Sequence, residues 1–440
     1  MESFKVILLR IESNHCMSEL LIISEHTKSI FNLNLPKEES FEYFYSKKRR
    51  NEVCLCFRLH PKESGHFVES SFFIGIDWID YPRNAIYVEP KLNSGTAQTD
   101  YLKMLFCALK HPEVAKYSTD LFEIKFDYPK IKITQEQDLL TPLLVVQFLS
   151  VVKVIVQKGL KKSYYRVDQN LYSRVKGKAL VSSTIKQNLL KNKPLHTHCS
   201  FDEFGLNGLE NRLIKKAMTF VKRYLPTTRN LPKDYVQHEF NYIIPAFELV
   251  SEDVSLNDIK QLKNNAFYKE YEEAIRLAKL ILQRFGYNIT NIQKSDTVQT
   301  PPFWIDMSKL FELYVLGLLK DRFGDKQVKY HYTISGNELD YLLNTPDYQM
   351  VIDAKYKAWY AQRIDNEDIR QVSGYARNKY VYRQLCKNDS EIIDCLIIYP
   401  DINCQVNNLD TLDLRKTPIE QYVRFYKLAV RLPVLSCNVK

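Results

Sequence analysis

The sequence predicts an α+β protein of several domains: a β-rich domain over residues 1–130, a mainly helical one over 131–290 and an α/β domain over 300–440. Three observations carry this. Short alternating apolar runs bounded by turn residues fill the first part of the chain, the pattern of half-buried strands. Apolar residues recur at helical spacing through the middle. After residues 290–302, a polar stretch ending Pro301-Pro302 that reads as a linker, helix-like and strand-like segments follow one another.

In the first domain the strands are expected at 4–9, 20–23, 53–59, 72–78 and 85–92, with Pro82-Arg83-Asn84 as a hairpin tip. Lys47-Lys48-Arg49-Arg50 reads as a solvated cation run. Residues 96–111 read as a helix through Tyr101, Leu102, Leu105 and Leu109. In the middle domain, helices are expected over 139–160, 210–224 and 258–285, with strands or a hairpin over 174–185. In the last domain, 308–323 reads as a helix, 337–343 and 348–357 as strands about the turn Asn344-Thr345-Pro346-Asp347, 365–385 as one helix and 394–400 as a buried strand.

A chain of 440 residues holds two or three domains with sizeable cores. Its 45% hydrophobic content and 12 glycines indicate an ordered globular protein. Nine cysteines lie scattered, apart from Cys54-Leu-Cys56, and the first residues show no secretory pattern. A cytoplasmic protein with reduced thiols is expected. The longest apolar run, 143–156, is broken by Gln147, Ser150 and Lys153, so it reads as a core helix and no membrane association is expected. There is no Gly-x-x-x-x-Gly-Lys-Ser/Thr, which excludes P-loop nucleotide hydrolysis. His196-Thr-His198-Cys199 has no second ligand pair at metal-finger spacing.

The formal net charge of +10 is concentrated. Between Lys153 and Lys193 nine Lys and two Arg face one acid, Asp168, so the rest of the chain sums to about zero. Tyr164, Tyr165 and Tyr172 interleave with these cations. Lys161, Lys162, Arg166, Arg174, Lys176 and Lys178 are therefore candidate DNA contacts. A solvated surface, or an interface to an acidic protein, fits the same charges.

The chemistry-bearing residues lie in 337–357. Asp340 and Asp353 interrupt apolar, β-prone runs, where an unpaired carboxylate is costly. Period-two alternation puts Asp353 and Lys355 on one face. If Asp340 lies opposite, two carboxylates and one ammonium converge. Such carboxylates repel unless a cation lies between them, and hard oxygen donors suit Mg²⁺, with Mn²⁺ as the alternative. The ion could activate water while Lys355 orients it or neutralises charge on a phosphoryl group. A surface hairpin with a weak Asp353–Lys355 ion pair fits the same spacing.

Helix with Glu312, strand with Asp340, strand with Asp353-Ala354-Lys355, helix with Gln371 and Tyr375, strand 394–400: this order resembles the PD-(D/E)xK nuclease core. Ile352-Asp353-Ala354-Lys355-Tyr356, Glu338-Leu339-Asp340, Gln371 with Tyr375 and Leu396-Ile397-Ile398-Tyr399-Pro400 resemble McrC, the nuclease subunit of GTP-dependent, methylcytosine-directed McrBC restriction systems. Lys176-Gly177-Lys178 with Thr184-Ile185-Lys186, Asn211-Arg212-Leu213-Ile214-Lys215, and Gly75 with Pro90-Lys91-Leu92 resemble that family too. The resemblance implies a Mg²⁺-dependent endonuclease of anti-phage defence acting on double-stranded DNA. Its catalytic residues are Asp340, Asp353, Lys355, Glu312 and Gln371, its metal ligands Asp340, Asp353 and Glu312. A separate McrB-like AAA+ GTPase oligomer would activate it, and self-association of nuclease domains would serve double-strand cleavage. A stand-alone nuclease of the same superfamily and a non-catalytic DNA-binding adaptor are the competing readings.

Overall fold

The computed structural model describes residues 9–11, 18–31, 40–47, 52–62, 65–92 and 98–434, except 112–113, 115–116, 119, 135–136, 225–232, 255–268, 287–296, 335–336, 402–408 and 410–411. The chain is mixed α/β, with five sheets among the described residues, and divides into two compact units, one of residues 1–140 with 296–440, the other of residues 141–295. The flanking segments, expected as separate domains, therefore share one unit. The reason is visible in the six-stranded sheet. Strand Phe303–Asp306 pairs antiparallel with Phe73–Asp80 on one side and with Phe122–Ile124 on the other. Gly75 permits this: its φ is 150°, and a Cβ there would lie 2.1 Å from the Phe303 carbonyl oxygen. Trp304, fully buried, donates to Asp77 Oδ2 at 3.0 Å, and Lys125 Nζ reaches the same oxygen at 2.6 Å.

The expected linker is also partly ordered pairing. Thr297–Thr300 forms a two-stranded ladder with Ile131–Thr134, while 290–296 lie outside the described residues. Most of the expected amino-terminal strands appear, as Ser18–Ser24, Glu52–Lys62, Phe73–Asp80 and Asn84–Glu89. Residues 4–8 and the Lys48-Arg49-Arg50 run lie outside the described residues. A four-stranded sheet of Lys28–Phe31, Gly65–Ser70, Glu52–Lys62 and Phe41–Lys47 packs its apolar face with Leu21, Ile23, Ile86 and Trp304.

The carboxy-terminal sheet has five strands in the order Val328–Ile334, Asn337–Asn344, Gln349–Ala354, Asp394–Pro400, Phe425–Val430. The first two pairings are antiparallel and the last two parallel. Asp394–Pro400 is buried throughout, as a central parallel strand requires. Helix Met307–Phe323 starts where the Asp306 carboxylate accepts from the Lys309 N–H at 2.9 Å and stops at Gly324, φ 82°. The single helix expected over 365–385 is two, Asn366–Ala376 and Lys379–Gln384. Asn378 leaves the first and caps the second by accepting from the Tyr380 N–H at 3.0 Å.

In the second unit, helix Leu140–Lys158 is apolar and long enough to cross a membrane by composition, but 83% of its most apolar window is buried inside the protein. Strand Ser163–Tyr172 pairs with His196–Gly205, which also pairs with Lys178–Ala179. Strands expected over 174–185 are thus confined to two residues, and Val181–Gln187 is helical. Helix Leu209–Tyr224 matches expectation; the last helix is described from Lys269 to Gly286.

Candidate active site

Register places the acids. Asn337–Asn344 pairs with Gln349–Ala354 through Tyr341↔Ile352 and Leu342↔Val351. One step further along that register, Asp340 stands opposite Asp353, on the same face. The Asp340 Oδ2 accepts from the Ala354 N–H at 2.9 Å, which fixes its carboxylate beside the neighbouring strand's end. Asp353 is 2% exposed, and its Oδ2 lies 2.9 Å from Lys355 Nζ. Asp340 and Asp353 are close enough for the charge of Asp353 to act on Asp340.

The electrostatics follow from burial. Desolvation raises the Asp340 carboxyl well above its ordinary value, and the charges of Asp353 and Glu312 add to it. Desolvation also raises Asp353, against the pull of the Lys355 ammonium. For Lys355, burial favours the neutral amine, but Asp353 and Asp340 outweigh it and raise its pKa. Lys355 is therefore an ammonium at neutral pH.

Helix Asn366–Ala376 completes the set. Lys355 Nζ donates to Gln371 Oε1 at 3.0 Å, and Gln371 Nε2 donates to the Tyr375 hydroxyl at 2.9 Å. Gln371 thus acts on the lysine. Asp368, buried, lies 3.7 Å from Lys355 Nζ and 2.9 Å from Lys357 Nζ, and accepts from the Tyr360 hydroxyl. Sequence reasoning missed Asp368, although it precedes Gln371 by three residues and Tyr375 by seven, on one helical stripe. Glu312 is engaged otherwise. Its Oε2 lies 3.0 Å from Lys309 Nζ, 3.1 Å from the Tyr330 hydroxyl and 3.4 Å from His331 Nε2. Burial would raise Glu312, but Lys309 and His331 prevail and hold it below the usual carboxylate range.

Among the described residues no three His, Cys, Asp or Glu side chains are gathered as a metal cluster. Glu312 faces the Lys309 ammonium, while its charge acts on both Asp340 and Asp353. Asp340 and Asp353 by themselves fit Mg²⁺, which is commonly held by one or two carboxylates and keeps several waters. Their mutual repulsion, offset in part by Lys355, is what a divalent ion would relieve.

The basic candidates lie in the second unit. Lys161 pairs with Glu210 at 2.6 Å, Lys176 with Glu203 at 2.8 Å and Arg166 with Asp202 at 3.8 Å. Lys162, Arg174 and Lys178 are exposed. Exposed Tyr164, Val175, Val181 and Leu190 lie in the same segment. His198 Nε2 bonds Gln187 Oε1 at 2.7 Å in a strand, with no metal cluster among the described residues.

The five-stranded mixed sheet carries Asp340, Asp353 and the half-buried Lys355 close together. A family match gives the particular class. Residues 73–400 match the McrBC 5-methylcytosine restriction system component family, and the chain belongs to it. No curated protein matches the chain. Among solved structures, the chain is similar to one in a refined half-complex from a tetradecameric assembly of Thermococcus gammatolerans McrB AAA+ hexamers with bound McrC. The identity is 15% and the TM-score 0.35, over 84% of this chain and 80% of that one. A cryo-EM structure of the Thermococcus gammatolerans McrBC complex gives 15% identity and a TM-score of 0.30, over 68% and 87%.

Proposed function

We propose that this chain is the metal-dependent DNA endonuclease subunit of a McrBC-type restriction system, with a PD-(D/E)xK core. The observation that supports the proposal is Asp340, held by the Ala354 N–H at 2.9 Å, beside Asp353, which has the Lys355 ammonium 2.9 Å away. Asp340 and Asp353 hold a divalent ion, Mg²⁺ or Mn²⁺, which when bound supplies Lewis acidity and a more acidic water. Lys355, kept protonated, donates to the attacking water or to a phosphoryl oxygen as negative charge builds. Gln371 holds Lys355 in place, and Tyr375 holds Gln371. Asp368 and Lys357 neutralise one another beside them.

The substrate is double-stranded DNA. One site opens one strand, so a double-strand break uses two copies or two events. Nucleotide hydrolysis falls to a separate AAA+ GTPase, since this sequence has no P-loop signature. The test is cleavage of methylcytosine-containing DNA by the chain with its GTPase and Mg²⁺, with and without GTP. Asp340→Ala and Lys355→Ala are expected to abolish cutting and leave GTP hydrolysis intact. Cutting without GTP or partner would instead support a stand-alone nuclease.

A further inference from the structure

Beside Glu312, whose charge acts on Asp340, lies a cation with every proton used. An ammonium has three N–H donors. Lys309 Nζ lies 3.0 Å from Glu312 Oε2, 2.6 Å from the Tyr330 hydroxyl and 2.8 Å from His331 Nε2. The Tyr330 hydroxyl, accepting from Lys309, donates its own proton to Glu312 Oε2 at 3.1 Å. His331 Nδ1 faces Glu338 Oε1. Each donor in the network meets an acceptor. Lys309, Glu312 and His331 side chains are 13%, 22% and 11% exposed, so solvent screens them weakly.

The backbone is bent to build it. His331 has φ 47° in mid-strand, a left-handed conformation that a non-glycine residue rarely adopts. The flanking pairs are Tyr330↔Tyr341 and Tyr332↔Leu339, so this residue stands across from Asp340. Strain of order 1–3 kcal/mol is typical of such a residue and persists where surrounding contacts enforce it. Here it turns the imidazole towards Lys309.

We propose that Lys309 is the resident cation of the nuclease site, standing where a second divalent ion would otherwise be held, so that each chain works with one metal ion. The inference rests on the nuclease reading and deepens it. Glu312, the third acid, is neutralised by an ammonium whose donors are saturated. Asp340 and Asp353 remain for one ion. Lys309 is thus a positioning residue for the electrostatics of the site.

The experiment counts Mn²⁺ bound per full-length chain by electron paramagnetic resonance of the free ion. The wild type is expected to hold one, lost in Asp353→Asn. Lys309→Met, which releases Glu312, is expected to take up a second. Glu312→Gln, with Lys309 kept, is expected to hold one as before, and it tests the idea if Lys309→Met does not fold. Two ions in the wild type, one in a folded Lys309→Met, or loss of the ion in Glu312→Gln overturns the inference. Mn²⁺ binding indifferent to Asp353→Asn overturns the nuclease reading beneath it as well.

Discussion

Glu25 offers a prediction whose size can be worked out. It follows strand Ser18–Ser24, is fully buried, and accepts from the Tyr356 hydroxyl at 3.0 Å through Oε1. Its Oε2 has no hydrogen-bond partner among the described residues. Tyr356 directly follows Lys355 and packs on Phe72 and Phe311, so this bond ties the amino-terminal sheet to the candidate active site. Desolvation pushes the Glu25 carboxyl up from 4.5 to about 8, with the Tyr356 bond pulling the other way. The unfolded chain releases this proton near 4.5; the folded chain keeps it until about 8. Stability therefore falls as pH rises between those values and levels off above them. At pH 7 the difference amounts to about 3 kcal/mol. Glu25→Gln keeps an oxygen for Tyr356 and removes the titration. It should stabilise the unit by about 3 kcal/mol at pH 7 and have little effect near pH 4.5. Urea unfolding followed by tryptophan fluorescence reads this directly, because Trp78, Trp304 and Trp359 all lie in the unit that contains Glu25. Equal effects of the substitution at low and neutral pH would refute the reasoning.

Other outcomes follow from single contacts. Gln371→Ala frees Lys355 and should slow cleavage about tenfold, roughly 1.4 kcal/mol, with Mn²⁺ binding unchanged; loss of the ion would make Gln371 a ligand instead. Asp394, 1% exposed, pairs with Arg415 at 2.8 Å and also with Arg424. Asp394→Asn should destabilise the same unit by about 1–2 kcal/mol in urea unfolding, since two partly exposed arginines lose the charge they share. Gly75→Ala should prevent the Phe303–Asp306 pairing and lower soluble yield sharply, whereas an exposed change such as Lys178→Ala should not.

The site's core was legible because it lies in contiguous sequence with a visible period. Asp353 and Lys355 are two apart in a strand, and the turn at Asn344–Asp347 set the register that brings Asp340 across. Thr345 makes that turn, its hydroxyl accepting from the Tyr348 N–H at 2.9 Å. What the sequence hid depends on partners far along the chain. Strand Phe303–Asp306 looked like the start of a domain, yet its neighbours are Phe73–Ile76 and Phe122–Ile124. The Lys309–Glu312 pair, three apart on one helix, was open to sequence reading, but His331 meets Glu312 from a separate strand. His331 lies in a strand but has a left-handed φ, where its ring meets Lys309 and Glu338. The basic segment looked uniform, but Glu203 and Glu210, outside the counted window, pair with Lys176 and Lys161.

The most direct measurement is strand scission by the assembled complex on methylated plasmid, wild type against Asp353→Asn, as Mg²⁺ is titrated. The account predicts scission that rises with Mg²⁺ in the wild type and none at any concentration in the variant, with the GTPase equally stimulated by both. Scission by Asp353→Asn at the wild-type rate would contradict it.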